Sequence, residues 1–275
     1  MKIFSKIYFG LVFAFLYIPI VVMIVFSFNS TRYRTAEFDQ FTLKWYKELF
    51  QNDQIMEALG VSMSVAILAA LVSTVLGTLA AVGIFSMKNK MRSVVMTVNN
   101  IPMVNPEIVT GVSLLLLFVF IYNTTGLLKP GYMTLLIAHI TFCVPYVLLS
   151  VLPKLRQMNP NLYEAALDLG CHPVKAFFKV VVPEITPGIV TGMVMAFTLS
   201  LDDFVISYFT CGSSVQTLPL LIYSMTKRNV KPTIFALSTL MFAIIFILLL
   251  AVNFKQIKQA AGSSKSTKKE RVLVK

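Results

Sequence analysis

Glu107 is the only charged residue between Arg92 and Lys129, and Asp202 with Asp203 form the only charged pair between Glu184 and Lys227. Carboxylates isolated in such apolar sequence are costly: an acid at the centre of a membrane helix is disfavoured by about 2.5 to 3.5 kcal/mol on insertion scales. They must therefore meet protein, water or a cationic ligand, and the chemistry they offer is attraction for a cation. Pro102 and Pro106 flank Glu107, remove two backbone donors and predict a kink whose freed carbonyls also suit a cation. Adjacent residues of a regular helix diverge by about 100°, so Asp202 and Asp203 converge on one ligand only where the helix is loosened. Their charges repel and both ionise easily only with water or positive charge nearby. Phe204 and Tyr208 add aromatic surface in the same stretch, and Trp45, with Tyr33 and Tyr46, adds more in the segment 29–57. Each acid also has a structural alternative: Glu107 satisfied by a neighbouring helix, or one of the two aspartates capping or bonding one. Trp45 is either an interfacial anchor or an aromatic face at the mouth of a pathway that attracts an organic cation.

A second constellation runs through 159–183. Asn159 is an expected N-cap with Pro160 at the first helical position, where its missing N–H costs nothing. Leu162, Ala165, Ala166 and Leu169 then recur at helical spacing, leaving Glu164 and Asp168 as an i,i+4 acidic pair. Gly170 supplies a left-handed stop. Pro173 opens a second short helix carrying Phe177 and Phe178, and Pro183 is expected to end the unit before apolar sequence resumes. A compact helix-loop-helix in a polar gap between long apolar runs is what a docking surface requires.

The elements that must position these residues are membrane helices. In 275 residues, 57% are hydrophobic and 13% charged, and the mean hydropathy is +0.78, too apolar for one water-soluble core. About 20 apolar residues cross a hydrocarbon layer of roughly 30 Å. Six segments qualify, near 7–28, 58–86, 93–122, 132–153, 184–209 and 233–254. The fold class is thus all-α, with a polytopic transmembrane domain over 1–254 and a basic tail, 255–275, rich in Lys and Ser and expected to be solvated and disordered. Lys2 and Lys6 precede the first apolar run, but the run is longer than a signal-peptide core and no small-x-small site follows, so it is read as a retained helix. With both termini cytoplasmic, 16 of the 24 Lys and Arg fall on the cytoplasmic side, including those of the loop 154–183. The net charge of +12 is then a topology signal with some attraction to anionic lipid, rather than a sign of nucleic-acid binding.

Several classes are disfavoured. No phosphate-binding G-x-x-x-x-G-K-[ST] loop occurs, so any ATP that drives this chain is hydrolysed by another subunit. No H-E-x-x-H, G-x-S-x-G or His/Cys cluster occurs, so neither catalytic residues nor a metal site is expected. The two histidines are His139, read as a helix-packing residue bonded to a carbonyl or hydroxyl, and His172 in the polar loop. Cys143, Cys171 and Cys211 fall in different compartments and predict no disulfide. Gly188 and Gly192 form a G-x-x-x-G step read as close helix packing.

The stretch from Glu164 to Pro183 resembles the EAA loop of ABC importer permeases: Glu164, Ala165, Ala166, Gly170 and Pro183 match in identity and spacing, and Val180 and Val182 replace an Ile and a Leu. Further stretches, F-N-S near Asn29, F-T-x-K-W-Y at 41–46, the run at 106–109, H-I-T-F-C-x-P at 139–145 and S-L-D-D at 200–203, resemble the spermidine/putrescine permeases, most closely their C-type subunits. Glu107 departs from that pattern, where a shorter acid is expected. The resemblance implies a type I ABC importer permease (MetI-like) fold in the cell membrane. It implies a homologous second permease, ABC ATPase subunits that hold ATP and Mg, no cofactor on this chain, and an extracytoplasmic polyamine-binding protein. Residues Glu164, Ala165, Ala166, Asp168 and Gly170 would couple to the ATPase. Glu107, Asp202, Asp203, Trp45 and Tyr208 would line the route. Alternatives are an ABC permease for another cationic or small solute and an ion-coupled secondary carrier using the three acids as proton sites. The carrier gives no reason for the docking motif, and a scaffold without cargo gives none for the acids.

Overall fold

The computed structural model describes residues 2–30, 38, 40–159, 161–228 and 232–250. The expectations for Tyr33, Pro160 and the tail 255–275 lie outside those residues. The helices are α1 (Lys2–Phe26), α2 (Lys44–Phe50), α3 (Asp53–Ser86), α4 (Asn89–Val104), α5 (Glu107–Thr125), α6 (Tyr132–Gln157), α7 (Asn161–Asp168), α8 (Pro173–Ala176), α9 (Val182–Asp202), α10 (Val205–Thr210), α11 (Leu218–Arg228) and α12 (Pro232–Leu250). Among the described residues, six helical stretches are long and apolar enough to cross a membrane: Ile7–Phe26, Asp53–Ser86, Glu107–Thr125, Tyr132–Gln157, Pro173–Asp202 and Pro232–Leu250. All six expected spans are therefore present, with three corrections inside them.

The third segment is not one kinked helix but two helices. Asn105, at φ −68° and ψ 140°, is extended because the residue before a proline is sterically driven out of the helical region. α4 stops there and α5 restarts after Pro106. Glu107 is consequently a first-turn residue of α5 rather than a mid-helix acid. The fifth segment also breaks, at Asp203 (φ −62°, ψ 126°), separating α9 from α10. The third correction concerns Pro183, which does not end the helix-loop-helix that begins at Asn159. α8 passes through a π turn, Phe177–Val181, directly into α9, whose second residue is Pro183. A proline ring collides with the carbonyl four residues back in a regular helix, and the wider turn just before it relieves that collision.

The described residues form two compact units, one drawn from 2–60 and 218–247, the other from 61–217 and 248–250. In the first, an isolated antiparallel bridge joins Asn29 to Phe41, and Trp45 and Leu49 of α2 are buried. In the second, α6 is the central element: α9 lies along it, and α4, α5 and α10 also pack on it. The buried residues Ala138, Phe142, Cys143, Val147, Val151 and Leu155 recur along α6 at helical spacing and carry the core. The G-x-x-x-G step performs the packing role expected of it. A Cβ at Gly188 would stand 2.9 Å from the Ser150 carbonyl, and one at Gly192 3.1 Å from Val147 Cα, so α9 approaches α6 closely only because both positions are glycine.

Candidate functional site: an acidic face at two helix breaks

The two breaks face each other. α10 packs on α5, and the approach is close at Gly111, where a Cβ would lie 2.8 Å from Phe209 Cδ2. That approach sets the first turn of α5 beside the break at Asp202–Phe204. The charge of Glu107 is felt at Asp202 and at the Tyr146 hydroxyl on α6, so the two acids, 95 residues apart in the chain, share one electrostatic neighbourhood. Glu107 and Asp202 are both exposed on this chain, as is Tyr208, whose ring lies 5.9 Å from that of Phe204. Tyr146 is partly buried and tilts against Phe142 at 5.3 Å.

The backbone amplifies this charge at one position and offsets it at another. Asp202 is the last residue of α9, where the final turn of carbonyls carries the negative end of the helix dipole. A carboxylate there raises the demand for a cation. Glu107 lies at the positive end of α5, where the unpaired N–H groups of the first turn offset its charge.

Asp203 differs from its neighbour in every respect. It is 8% exposed, and its carboxylate accepts hydrogen bonds from the Ser207 N–H (2.7 Å) and the Ile206 N–H (3.3 Å), capping α10. Its Oδ2 also lies 3.5 Å from His139 Nε2. His139, 2% exposed on α6, bonds Ser200 Oγ of α9 through Nδ1 (2.6 Å) and Ser207 Oγ of α10 through Nε2 (3.1 Å). The expectation of a histidine bonded to hydroxyls holds. Of the two readings open for the aspartates, Asp203 takes the capping one, and Asp202 is left to face outward.

Trp45 takes a third course that sequence reasoning did not consider. Its ring is 2% exposed, and its indole N–H donates to the Asn29 carbonyl at 2.6 Å, next to stacked Phe28 and Phe41 (5.1 Å). The ring is thus an internal pin for the segment around the Asn29–Phe41 bridge, which replaces both the interfacial anchor and the pathway face.

The segment 159–183 has the expected local structure in its first helix and turn. Asn159 Oδ1 accepts from the Asn161 N–H (3.0 Å) as a cap. Gly170 stands at φ +80°, the Gly170 N–H reaches the Leu167 carbonyl (2.8 Å) and the Cys171 N–H reaches the Ala166 carbonyl (3.1 Å). Those two bonds make a Schellman stop. Glu164, Ala165 and Asp168 are exposed, Ala166 is partly so, and α7 buries nothing in this chain. Leu169 is 88% exposed and Phe178 64%, so the turn and the helix after it leave apolar surface uncovered.

Sequence reasoning missed Gly111, Tyr146, Ser200 and Ser207. A small residue one turn after an isolated acid was the available signal for Gly111. The other three carry none, because Tyr and Ser are ordinary in any helix.

Comparison with known proteins matches residues 73–254 to the "Binding-protein-dependent transport system inner membrane component" family. The putrescine transport system permease protein PotI of Escherichia coli K12 is 40% identical over 83% of this chain and 82% of its own length. The spermidine/putrescine transport system permease protein PotC is 37% identical in E. coli K12, over 87% of this chain and 89% of its own. That of Haemophilus influenzae Rd is 38% identical over 84% and 87%. Among solved structures, a bacterial ABC transporter involved in import of the acidic polysaccharide alginate has a chain with a TM-score of 0.72, 14% identity and coverage of 94% of this chain and 95% of that one. The MetNI methionine ABC transporter gives a TM-score of 0.60 at 17% identity, covering 76% and 98%. These structures place the fold among type I ABC importer permeases of the MetI-like kind.

Proposed function

We propose a cargo and a route for this chain, which belongs to the family of binding-protein-dependent transport system inner membrane components. It is a multi-pass inner-membrane permease, not an enzyme, and ATP is hydrolysed by a separate subunit. Its cargo is a polyamine of the putrescine or spermidine kind. The observation that carries this reading is the exposed Asp202 at the carbonyl end of α9, with Glu107 within its electrostatic reach. An anionic cargo would meet repulsion there. A chain of ammonium groups separated by methylenes finds two carboxylates, the carbonyls of one helix end and the rings of Tyr208 and Tyr146. Relatives 37–40% identical along most of their length are named as putrescine and spermidine permeases, which supports the same choice.

The rest of the machine follows from the same reading. Residues 1–254 form the permease domain, paired with a homologous second permease. An extracytoplasmic polyamine-binding protein releases cargo toward Glu107 and Asp202. Both termini and 154–183 face the cytoplasm, where the turn from Glu164 to Gly170 docks on an ATPase subunit that binds ATP and Mg. The uncovered Leu169 and Phe178 support such a partner. The acids hold cargo weakly, since a ligand that strongly preferred one state would trap the transporter in it.

Uptake of radiolabelled putrescine and spermidine, measured per assembled transporter in vesicles, tests the route. Glu107→Gln and Asp202→Asn keep volume and delete charge, and at least one is expected to reduce uptake about tenfold, the cost of one charge-assisted contact. Normal uptake by both variants would remove the acids from the route. Cys171 tests the orientation: with Cys143 and Cys211 replaced, it should resist an impermeant thiol reagent in intact cells and react in opened ones.

A further inference from the structure

We propose that His139 is a positioning residue for transport: from α6 it ties the two helices flanking the break, and so fixes the direction in which Asp202 is presented. The inference deepens the cargo reading above and rests on it for its purpose, though not for its geometry. Two hydrogen bonds and one close approach define the clasp. Nδ1 holds Ser200 at 2.6 Å, two residues before Asp202, and Nε2 holds Ser207 at 3.1 Å, two residues into α10. Asp203, 3.5 Å from Nε2, caps α10 through the Ile206 and Ser207 N–H groups. One imidazole thus reads the register of both helices at once.

The alternative conformation shows what the clasp prevents. If Asp203 and Phe204 turned helical, α9 would run unbroken into α10. The side chains beyond the junction would rotate about the axis by about 100° per residue converted. Asp203 would then lose its capping bonds, and Asp202 would sit in mid-helix rather than at a carbonyl end. Burial makes the broken form the stable one, because a carboxylate and two hydroxyls without water must find partners inside the protein. His139 serves both hydroxyls, and packing alone would not need a side chain with two polar ends.

The test reads geometry without cargo. In the complete transporter, in a background with Cys143, Cys171 and Cys211 replaced, Asp202→Cys reports the break through its rate of reaction with a small thiol reagent. Met195→Cys, exposed on the same helix upstream, is the control. His139→Ala is expected to change the rate at 202 about fivefold, the factor that one net hydrogen bond corresponds to, and to leave 195 within about twofold. His139→Gln, whose amide both donates and accepts, should restore most of the rate at 202. If His139→Ala does not assemble, Ser200→Ala with Ser207→Ala severs the same ties and carries the same expectation. An unchanged rate at 202, or an equal change at 195, would reduce His139 to a packing residue. Because labelling needs no polyamine, loss of the cargo reading through normal uptake by Glu107→Gln and Asp202→Asn is a separate result from loss of the clasp.

Discussion

The breaks at Asn105–Pro106 and at Asp203–Phe204 look alike in outline, each interrupting an apolar segment beside an acid, yet they are made by opposite means. The first is local. Pro106 forces Asn105 into an extended conformation and withholds a donor, whatever surrounds it, and Glu107 emerges exposed on the first turn of α5. The second contains no proline. It exists because Asp203 is buried, bonded to two backbone N–H groups, and set against a histidine from another helix. A break imposed by sterics leaves its acid free for other work, whereas a break held by side chains consumes the acid that holds it. That contrast explains why two adjacent aspartates have different roles.

Removing the anchor of the second break should have the largest effect. Asp203→Ala leaves two α10 N–H groups without their cap, and about 2 to 3 kcal/mol of stability should be lost. A clear fall in the melting temperature and yield of the purified complex is the expected outcome. Asp203→Asn, which keeps one acceptor, should fall between. An unperturbed melting temperature in Asp203→Ala would mean that the second break is as local as the first.

Gly170→Val comes next and asks whether the docking turn behaves like a locally made break. Gly170 stands at φ +80° and a Cβ added there would meet no neighbour within 4 Å, so the penalty is conformational and about 1 to 2 kcal/mol. It should appear as reduced co-purification of the ATPase with normal membrane insertion, as should Glu164→Arg through its reversed charge. Unchanged recovery together with unchanged coupled ATP hydrolysis would leave the turn a simple connector.

The smallest effect on stability is expected at the first break. Pro106→Ala restores a backbone donor and relaxes Asn105, so the stability of the purified complex should change by less than about 1 kcal/mol, read as a small shift in melting temperature. Uptake should fall nonetheless, because Glu107 would no longer be held at a helix start. A large loss of stability would show that tertiary contacts, and not the proline, make this break too.

Sequence alone determined whatever depends on near neighbours in the chain. Six apolar lengths fixed six membrane-crossing helices, Asn159 and Gly170 fixed the ends of α7, and isolated acids pointed to a cationic partner. The G-x-x-x-G step predicted a close helix contact because close approach needs missing side chains at one spacing, and the tertiary structure supplied α6 as the partner. Tertiary structure decided what depends on residues far apart: that Asp203 turns inward to His139 while Asp202 faces out, that Gly111 brings Glu107 beside them, and that Trp45 closes on Asn29. Pro183 lies between the two cases, because the proline was visible but the π turn that accommodates it was not. The physical reason is range. Steric and capping preferences act within a few residues, whereas the partner that satisfies a buried polar group can come from any helix that folding brings against it.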